Sequence, residues 1–333
     1  MNILILDKTP YENGKCSGEY FKKVVGKNCI KEYIGAYSGY RKDIDETLSV
    51  LKQCFPKYYE EVVGKANGLD IDLMEYFTIL CPEITGIDLE HCTTVMYKND
   101  SGDITISHNE DDDYIKGNLC FSKINIDENN WFITNDMFNM PFGNGVSLNS
   151  FGIIKTINYC HDENINVKHL PRYFLQRHIS EANSIEDMIE KCKEMTTASG
   201  FHINAIDINK KEAASIEVYS DGIDVKYLNK YYIHTNHFIH GCHGQNPKTD
   251  IGSNSIFRLT KCHELLKAQH PISDILEYRS VEDSFEESIL QTKDDPYRTL
   301  FNLSFCTKDN EIIIKNYIDN ETVNIQITDC RKK

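Results

Sequence analysis

The feature that most restricts the fold of this chain is a change of texture at His91-Cys92. Upstream, apolar residues recur at helical spacing. From Cys92 onward, β-branched and aromatic runs are separated by Gly- and Asn-bearing turns, the pattern of paired strands. In the helical part Asp43 is placed as an N-cap with Glu46 in its first turn, and Leu48, Leu51, Phe55, Tyr58, Tyr59 and Val62 follow at helical spacing. Pro56 divides two helices or kinks one, Gly68 reads as a helix stop, and Asp70-Ile71-Asp72 starts the next helix. Before them, residues 1–30 read as a short strand, a Gly-containing turn and an amphipathic segment through Tyr20, Phe21, Val24 and Val25.

Beyond Cys92, strands at 93–97 and 104–106 flank Asn99-Asp100-Ser101-Gly102-Asp103, which reads as a hairpin turn. That hairpin brings Cys92 near the polar run His108-Asn109-Glu110-Asp111-Asp112-Asp113. Strands follow at 131–134 and 151–157, helices at 171–179 and 184–189, and strands at 202–207, 214–219 and 231–234. A helix through Ile256, Leu259, Cys262, Leu265 and Leu266 precedes late strands at 300–306, 311–315 and 323–327. Such an order suggests stacked sheets with helices outside.

With 333 residues, 40% of them hydrophobic, the chain can fill a large core. A net charge of -15 argues against nucleic acid or an anionic membrane surface as partner, since both call for clustered Lys and Arg. Twelve cysteines are scattered without a C-x-x-C pair, so they read as reduced thiols in a cytoplasmic protein. Met1 to Asp7 lacks the basic and apolar regions of a signal peptide, and no stretch approaches the ~18 apolar residues of a spanning helix. The acidic run 108–113 lacks the Gly and terminal Glu of a calcium loop, so no metal is expected.

Cys92 itself has two readings. It is a small buried hydrophobe, as most unpaired cysteines are. Alternatively, if the His91-Cys92 bond is cut, the new α-amine, with a pKa near ~8, serves as the base for the thiol of the same residue.

Further short motifs stand in order along the chain. They are Pro56-Lys57-Tyr58-Tyr59-Glu60-Glu61 with Gly64 and Ala66-Asn67-Gly68, then Cys92-Thr93-Thr94 and Asn109-Glu110-Asp111. Asn149-Ser150-Phe151-Gly152, Asn158-Tyr159, and Pro171 with Phe174 and Arg177 continue the series, and Ser215-Ile216-Glu217 and Thr235-Asn236-His237-Phe238 complete it. In this order the chain resembles the isopenicillin N acyltransferase-like proteins, cysteine members of the N-terminal-nucleophile hydrolase superfamily related to choloylglycine hydrolases. The resemblance implies an α+β fold, a four-layer αββα sandwich. It implies a precursor that cleaves itself between His91 and Cys92, with residues 1–91 a largely helical prosegment kept as a small chain and 92–333 the catalytic core. Cys92 would attack an amide or thioester carbonyl, and the acyl group would pass to water or an amine.

The same resemblance makes Asp111 the carboxylate beside the new amine and Asn236 the amide that stabilises the oxyanion. It gives Asn158, His108 and Arg258 to the substrate pocket. Two positions depart from it: His91 stands where the family has glycine, and His108 where the choloylglycine relatives have arginine. The expected function is hydrolysis of, or acyl transfer from, a small N-acylated amine or amino acid. A coenzyme A thioester is one acyl donor compatible with it, and no other cofactor is expected. The alternatives are an uncleaved, non-catalytic small-molecule-binding protein and a thioesterase-like biosynthetic enzyme. A homo-oligomer is compatible with either.

Overall fold

The computed structural model describes residues 3–37, 39, 44–86, 91–160, 162, 164–240 and 250–327. Asp43, expected as an N-cap, lies outside them. In chain order the elements begin with strand β1 (Ile3–Leu6), helix α1 (Pro10–Phe21), a π-helical turn (Lys22–Gly26), α2 (Lys27–Gly35), α3 (Asp45–Cys54), α4 (Pro56–Leu69), α5 (Leu73–Ile79) and α6 (Pro82–Thr85). Strands β2 (His91–Lys98), β3 (Ile104–Asp112), β4 (Cys120–Asn125), β5 (Trp131–Asp136), β6 (Ser147–Asn149) and β7 (Ile153–Tyr159) follow. Helices α7 (Arg172–Ile179) and α8 (Ile185–Glu194) lead to β8 (Phe201–Asp207), β9 (Glu212–Tyr219), β10 (Gly222–Tyr227) and β11 (Tyr231–His234). The chain then runs through α9 (Asp250–Lys267), α10 (Ile272–Leu276), β12 (Arg298–Cys306), β13 (Glu311–Asn316) and β14 (Glu321–Gln326).

These elements form two compact units, the first holding Met1–Asp88, Ile115–Phe151 and Glu163–Ser199 and the second the rest. In the first unit β1 pairs parallel with β4, and β4, β5 and β6 pair antiparallel. Leu6, Ile124, Phe132 and Phe142 form a core against this sheet, joined by Cys16 from α1. Pro56 divides two helices, at the first turn of α4. Asp72 caps α5 by accepting from the backbone of Met74 and Glu75. Gly68 is not the helix stop that its position suggested. The helix ends one residue later, with Asp70 in the left-handed conformation (φ 61°), and Gly68 instead serves the crossing of α4 with α1. A Cβ at Gly64 would lie 1.9 Å from the carbonyl oxygen of Tyr11, and one at Gly14 would lie 2.1 Å from that of Glu61. No side chain fits between two backbones so close.

The second unit carries the antiparallel run β7-β8-β9-β10 and the six-stranded sheet β11-β2-β3-β12-β13-β14. The two face each other, as the hydrogen bond from Thr94 on β2 to Asn158 on β7 shows. On the other face of the six-stranded sheet, Cys262, Ile275 and Leu276 of α9 and α10 pack with Val95, Ile233 and Ile289. The class is the α+β one expected, and in the second unit two sheets stack face to face with helices outside one of them. Among the described residues no disulfide forms, and no helix is long and apolar enough to cross a membrane.

Candidate active site

The β2–β3 hairpin sets the geometry, and the whole site lies in the second unit. Its turn closes with a 2.9 Å bond from the Asn99 amide to the Asp103 carbonyl, which puts Cys92 opposite Glu110 and His91 opposite Asp111. Side chains alternate along a strand, and directly opposed residues share a face. Cys92, Thr94, His108 and Glu110 therefore project from one face, and His91, Thr93, Asn109 and Asp111 from the other. The His91-Cys92 peptide is flanked by one carboxylate on each face of the hairpin.

On the first face, Cys92 Sγ lies 3.8 Å from Glu110 Oε1, and His108 Nε2 lies 3.1 Å from Glu110 Oε2. His108 Nδ1 is 2.7 Å from Thr94 Oγ1, which donates to Asn158 Oδ1 at 2.8 Å. Asn204 donates to the same Oδ1 at 2.9 Å. All of these side chains are buried. His108 and Asn158, expected in the substrate pocket, are thus tied to each other through Thr94.

On the second face the organising group is Arg258. Its buried guanidinium donates to the Cys92 carbonyl at 2.8 Å, Thr93 Oγ1 at 2.7 Å, Asn236 Oδ1 at 2.6 Å and Asn254 Oδ1 at 2.6 Å. Because Arg258 takes the Oδ1, the amide of Asn236 is oriented with its Nδ2 toward the Tyr159 carbonyl, 3.1 Å away. Its backbone amide donates to Ser255 Oγ at 2.8 Å, anchoring the residue just beyond the end of β11. Cys92, Asn236 and Arg258, far apart in sequence, are one hydrogen-bonded assembly.

Asp111 is fully buried, and neither carboxylate oxygen closes a hydrogen bond of standard geometry among the described residues. Burial pushes its carboxyl up to about 7, against the opposing pull of the Arg258 cation. His91 is also buried, its ring stacked on Tyr297 with centroids 3.8 Å apart. Burial, reinforced by Arg258, holds its imidazole down at about 3, so it is neutral.

Glu110 is the residue to which sequence reasoning gave no role. A turn centred on Ser101 already dictates that it faces Cys92, so register was the signal. The expectation of no metal rested on spacing within one segment, whereas the hairpin assembles donors from two strands. One ligand atom each from Cys92, His108 and Glu110 lie within 4.8 Å of one another.

Comparison with known proteins adds the following. Residues 97–320 match the family described as acyl-coenzyme A:6-aminopenicillanic acid acyl-transferase, a region that begins just after Cys92 and includes Asp111, Asn158, Asn236 and Arg258. The beta-alanyl-dopamine/carcinine hydrolase of Drosophila melanogaster is 22% identical over 210 residues, covering 55% of this chain and 54% of that protein. The chain thus matches about half the length of that relative. Among solved structures, a variant of the conjugated bile acid hydrolase from Clostridium perfringens is 15% identical with a TM-score of 0.45, covering 71% of this chain and 92% of that one. Penicillin V acylase from Agrobacterium tumefaciens is 13% identical with a TM-score of 0.43, covering 71% and 86%.

Proposed function

Because this chain belongs to the acyl-coenzyme A:6-aminopenicillanic acid acyl-transferase family, we propose that it is a cysteine-dependent amide hydrolase or acyltransferase acting on a small N-acylated amine or amino acid. The observation that carries this reading is the guanidinium of Arg258, which joins the backbone of Cys92 to the side chain of Asn236. A nucleophile and an oxyanion donor need that fixed relation.

In this reading the precursor is cut between His91 and Cys92, and residues 1–91 stay with the 92–333 core. The thiol proton of Cys92 passes to its own α-amine as Sγ attacks the substrate carbonyl carbon. Negative charge gathers on the carbonyl oxygen, where the Nδ2 of Asn236 donates. The C–N bond then breaks, the leaving amine takes the proton, and a thioester remains on Cys92. Water, or a second amine, releases the acyl group.

Asp111 fits as the counter-charge of the amine. In the uncut chain burial pushes its carboxyl up, against the pull of Arg258 and Thr299. The ammonium formed by cleavage supplies a cationic partner. The beta-alanyl-dopamine hydrolase activity of the Drosophila relative suggests N-β-alanyl amines as the first substrates to try. Turnover of an N-acyl amine panel by the purified protein tests the proposal. Cys92→Ala is expected to lose activity by about 10³-fold or more, and retained activity in that variant overturns the assignment.

His91 favours a second reading. A buried ring stacked on Tyr297, at a position where the family has glycine, anchors the residue before the bond, as an uncleaved binding protein would require. Intact-mass measurement separates the two. Fragments ending at His91 and starting at Cys92 support the enzyme, and a single full-length chain without turnover supports the binder.

A further inference from the structure

The hydrogen bonds around His108 leave one contact, between Nε2 and Glu110, that needs a shared proton or a cation. Asn158 turns its Nδ2 to the His234 carbonyl, 3.5 Å away, and so offers Oδ1 to Thr94. A hydroxyl has one proton, and Thr94 gives it to that oxygen. The 2.7 Å contact between Thr94 Oγ1 and His108 Nδ1 therefore requires a proton on Nδ1. Without another positive group, the lone pair of Nε2 would face Glu110 Oε2 across 3.1 Å. Either a proton or a metal cation has to lie there, and the sulfur of Cys92 stands at the same corner, 3.8 Å from Glu110 Oε1.

We propose that Cys92, His108 and Glu110 form a binding site for a borderline-soft divalent cation of the zinc type. A thiolate, an imidazole and a carboxylate are the donor types such a cation takes, and three protein ligands leave its fourth position open. The charges balance, since one thiolate and one carboxylate neutralise the dication while the imidazole stays neutral. A buried site requires that balance. Binding releases to solvent the thiol proton of Cys92 and the proton held between His108 and Glu110. Thr94 is a positioning residue: by accepting from Nδ1 it aims Nε2 at the cation. A sulfur held by the cation is withdrawn from nucleophilic attack, so occupancy is an off state. The site consists of three side chains and exists whether or not the His91-Cys92 bond is cut, so metal binding stands or falls separately from the catalytic proposal, and only the off state rests on it.

Cobalt titration of the chelator-treated, reduced full-length protein tests the site. The expected result is one equivalent bound with a sulfur-to-cobalt charge-transfer band, displaced by zinc and lost in Cys92→Ala. Thr94→Val, which keeps all three ligands, should weaken binding about tenfold or more. A band that survives Cys92→Ala, or no sulfur band at all, overturns the proposal. A measurement on the unmodified chain guards against misfolded variants. Zinc should slow iodoacetamide labelling of Cys92 about tenfold while leaving exposed Cys54 unaffected, and equal rates at Cys92 would overturn the site.

Discussion

Arg258 donates one bond to the carbonyl of Cys92 at 2.8 Å and another to Asn236 Oδ1 at 2.6 Å. The rigid fork of a guanidinium can do this, and an ammonium cannot span the same acceptors. Arg258→Lys should therefore keep a buried cation but lose the geometry, lowering kcat by about 10²-fold with KM little changed. Hydrogen bonds to a charged group contribute ~1.5–3 kcal/mol, so urea unfolding should register a loss of that order. Wild-type kinetics in this variant would show that the link is only structural.

Asn236→Ala tests the oxyanion role. Removing one preorganised donor typically costs ~10²–10³-fold in kcat, and the loss should fall on kcat because the charge exists only in the transition state. A rise in KM alone would assign Asn236 to ground-state binding.

The α1–α4 crossing gives a prediction about stability alone. At Gly64 an added methyl would meet the Tyr11 carbonyl at 1.9 Å, and the backbones must separate to admit it. Gly64→Ala should cost about 1–3 kcal/mol or more in chemical denaturation. Gly35, at the end of α2, has no atom within 4 Å of an added Cβ, and Gly35→Ala should be neutral or stabilising by about 0.5–1 kcal/mol.

Much of this was legible in the sequence, because local rules decide it. Pro56 had to break a helix, Asn99 to Asp103 had to turn, and the β-branched and aromatic runs from Cys92 onward had to make strands. β10 was legible in the alternation of Ile223, Val225 and Tyr227 with Asp224 and Lys226 but was overlooked, whereas β4 gave no such signal. β4 interrupts its apolar residues with Ser122 and Lys123. Gly68 was misread because a glycine that ends a helix and one that lets two helices touch look the same until the partner helix is known. In the candidate site, Cys92 and Asp111 were proposed from their motifs, and the strand register sets Asp111 opposite His91. The four-way grip of Arg258 depends on long-range placement, which no spacing encodes.

Glu217 makes acid stability testable. It accepts from Tyr219 Oη at 2.6 Å, the amides of Ile239 and His240 at 2.7 and 3.0 Å, and His234 Nε2 at 3.1 Å. Burial pushes its carboxyl up, but the His234 interaction and these hydrogen bonds outweigh it and bring it to about 2. A folded value below the unfolded ~4.3 stabilises the protein above that pH, and the contribution fades as pH falls toward the folded value. The effect is on the order of 3 kcal/mol. The stability gap between wild type and Glu217→Gln, measured by denaturation across this window, should narrow as pH is lowered. A gap that does not change with pH would contradict the assignment. The titratable groups facing Glu217 include His234 on β11 and His240, with His202 on β8 stacked against His234.

The central claim is that the sulfur of Cys92 carries the acyl group during turnover. Acid quenching of the protein with an N-acyl amine that it turns over, followed by peptide mass spectrometry, reads this directly. The account predicts the mass of the acyl group on the peptide containing Cys92, discharged by hydroxylamine as a thioester would be. Turnover with Cys92 unmodified at every quench time, and undiminished in Cys92→Ala, would contradict it.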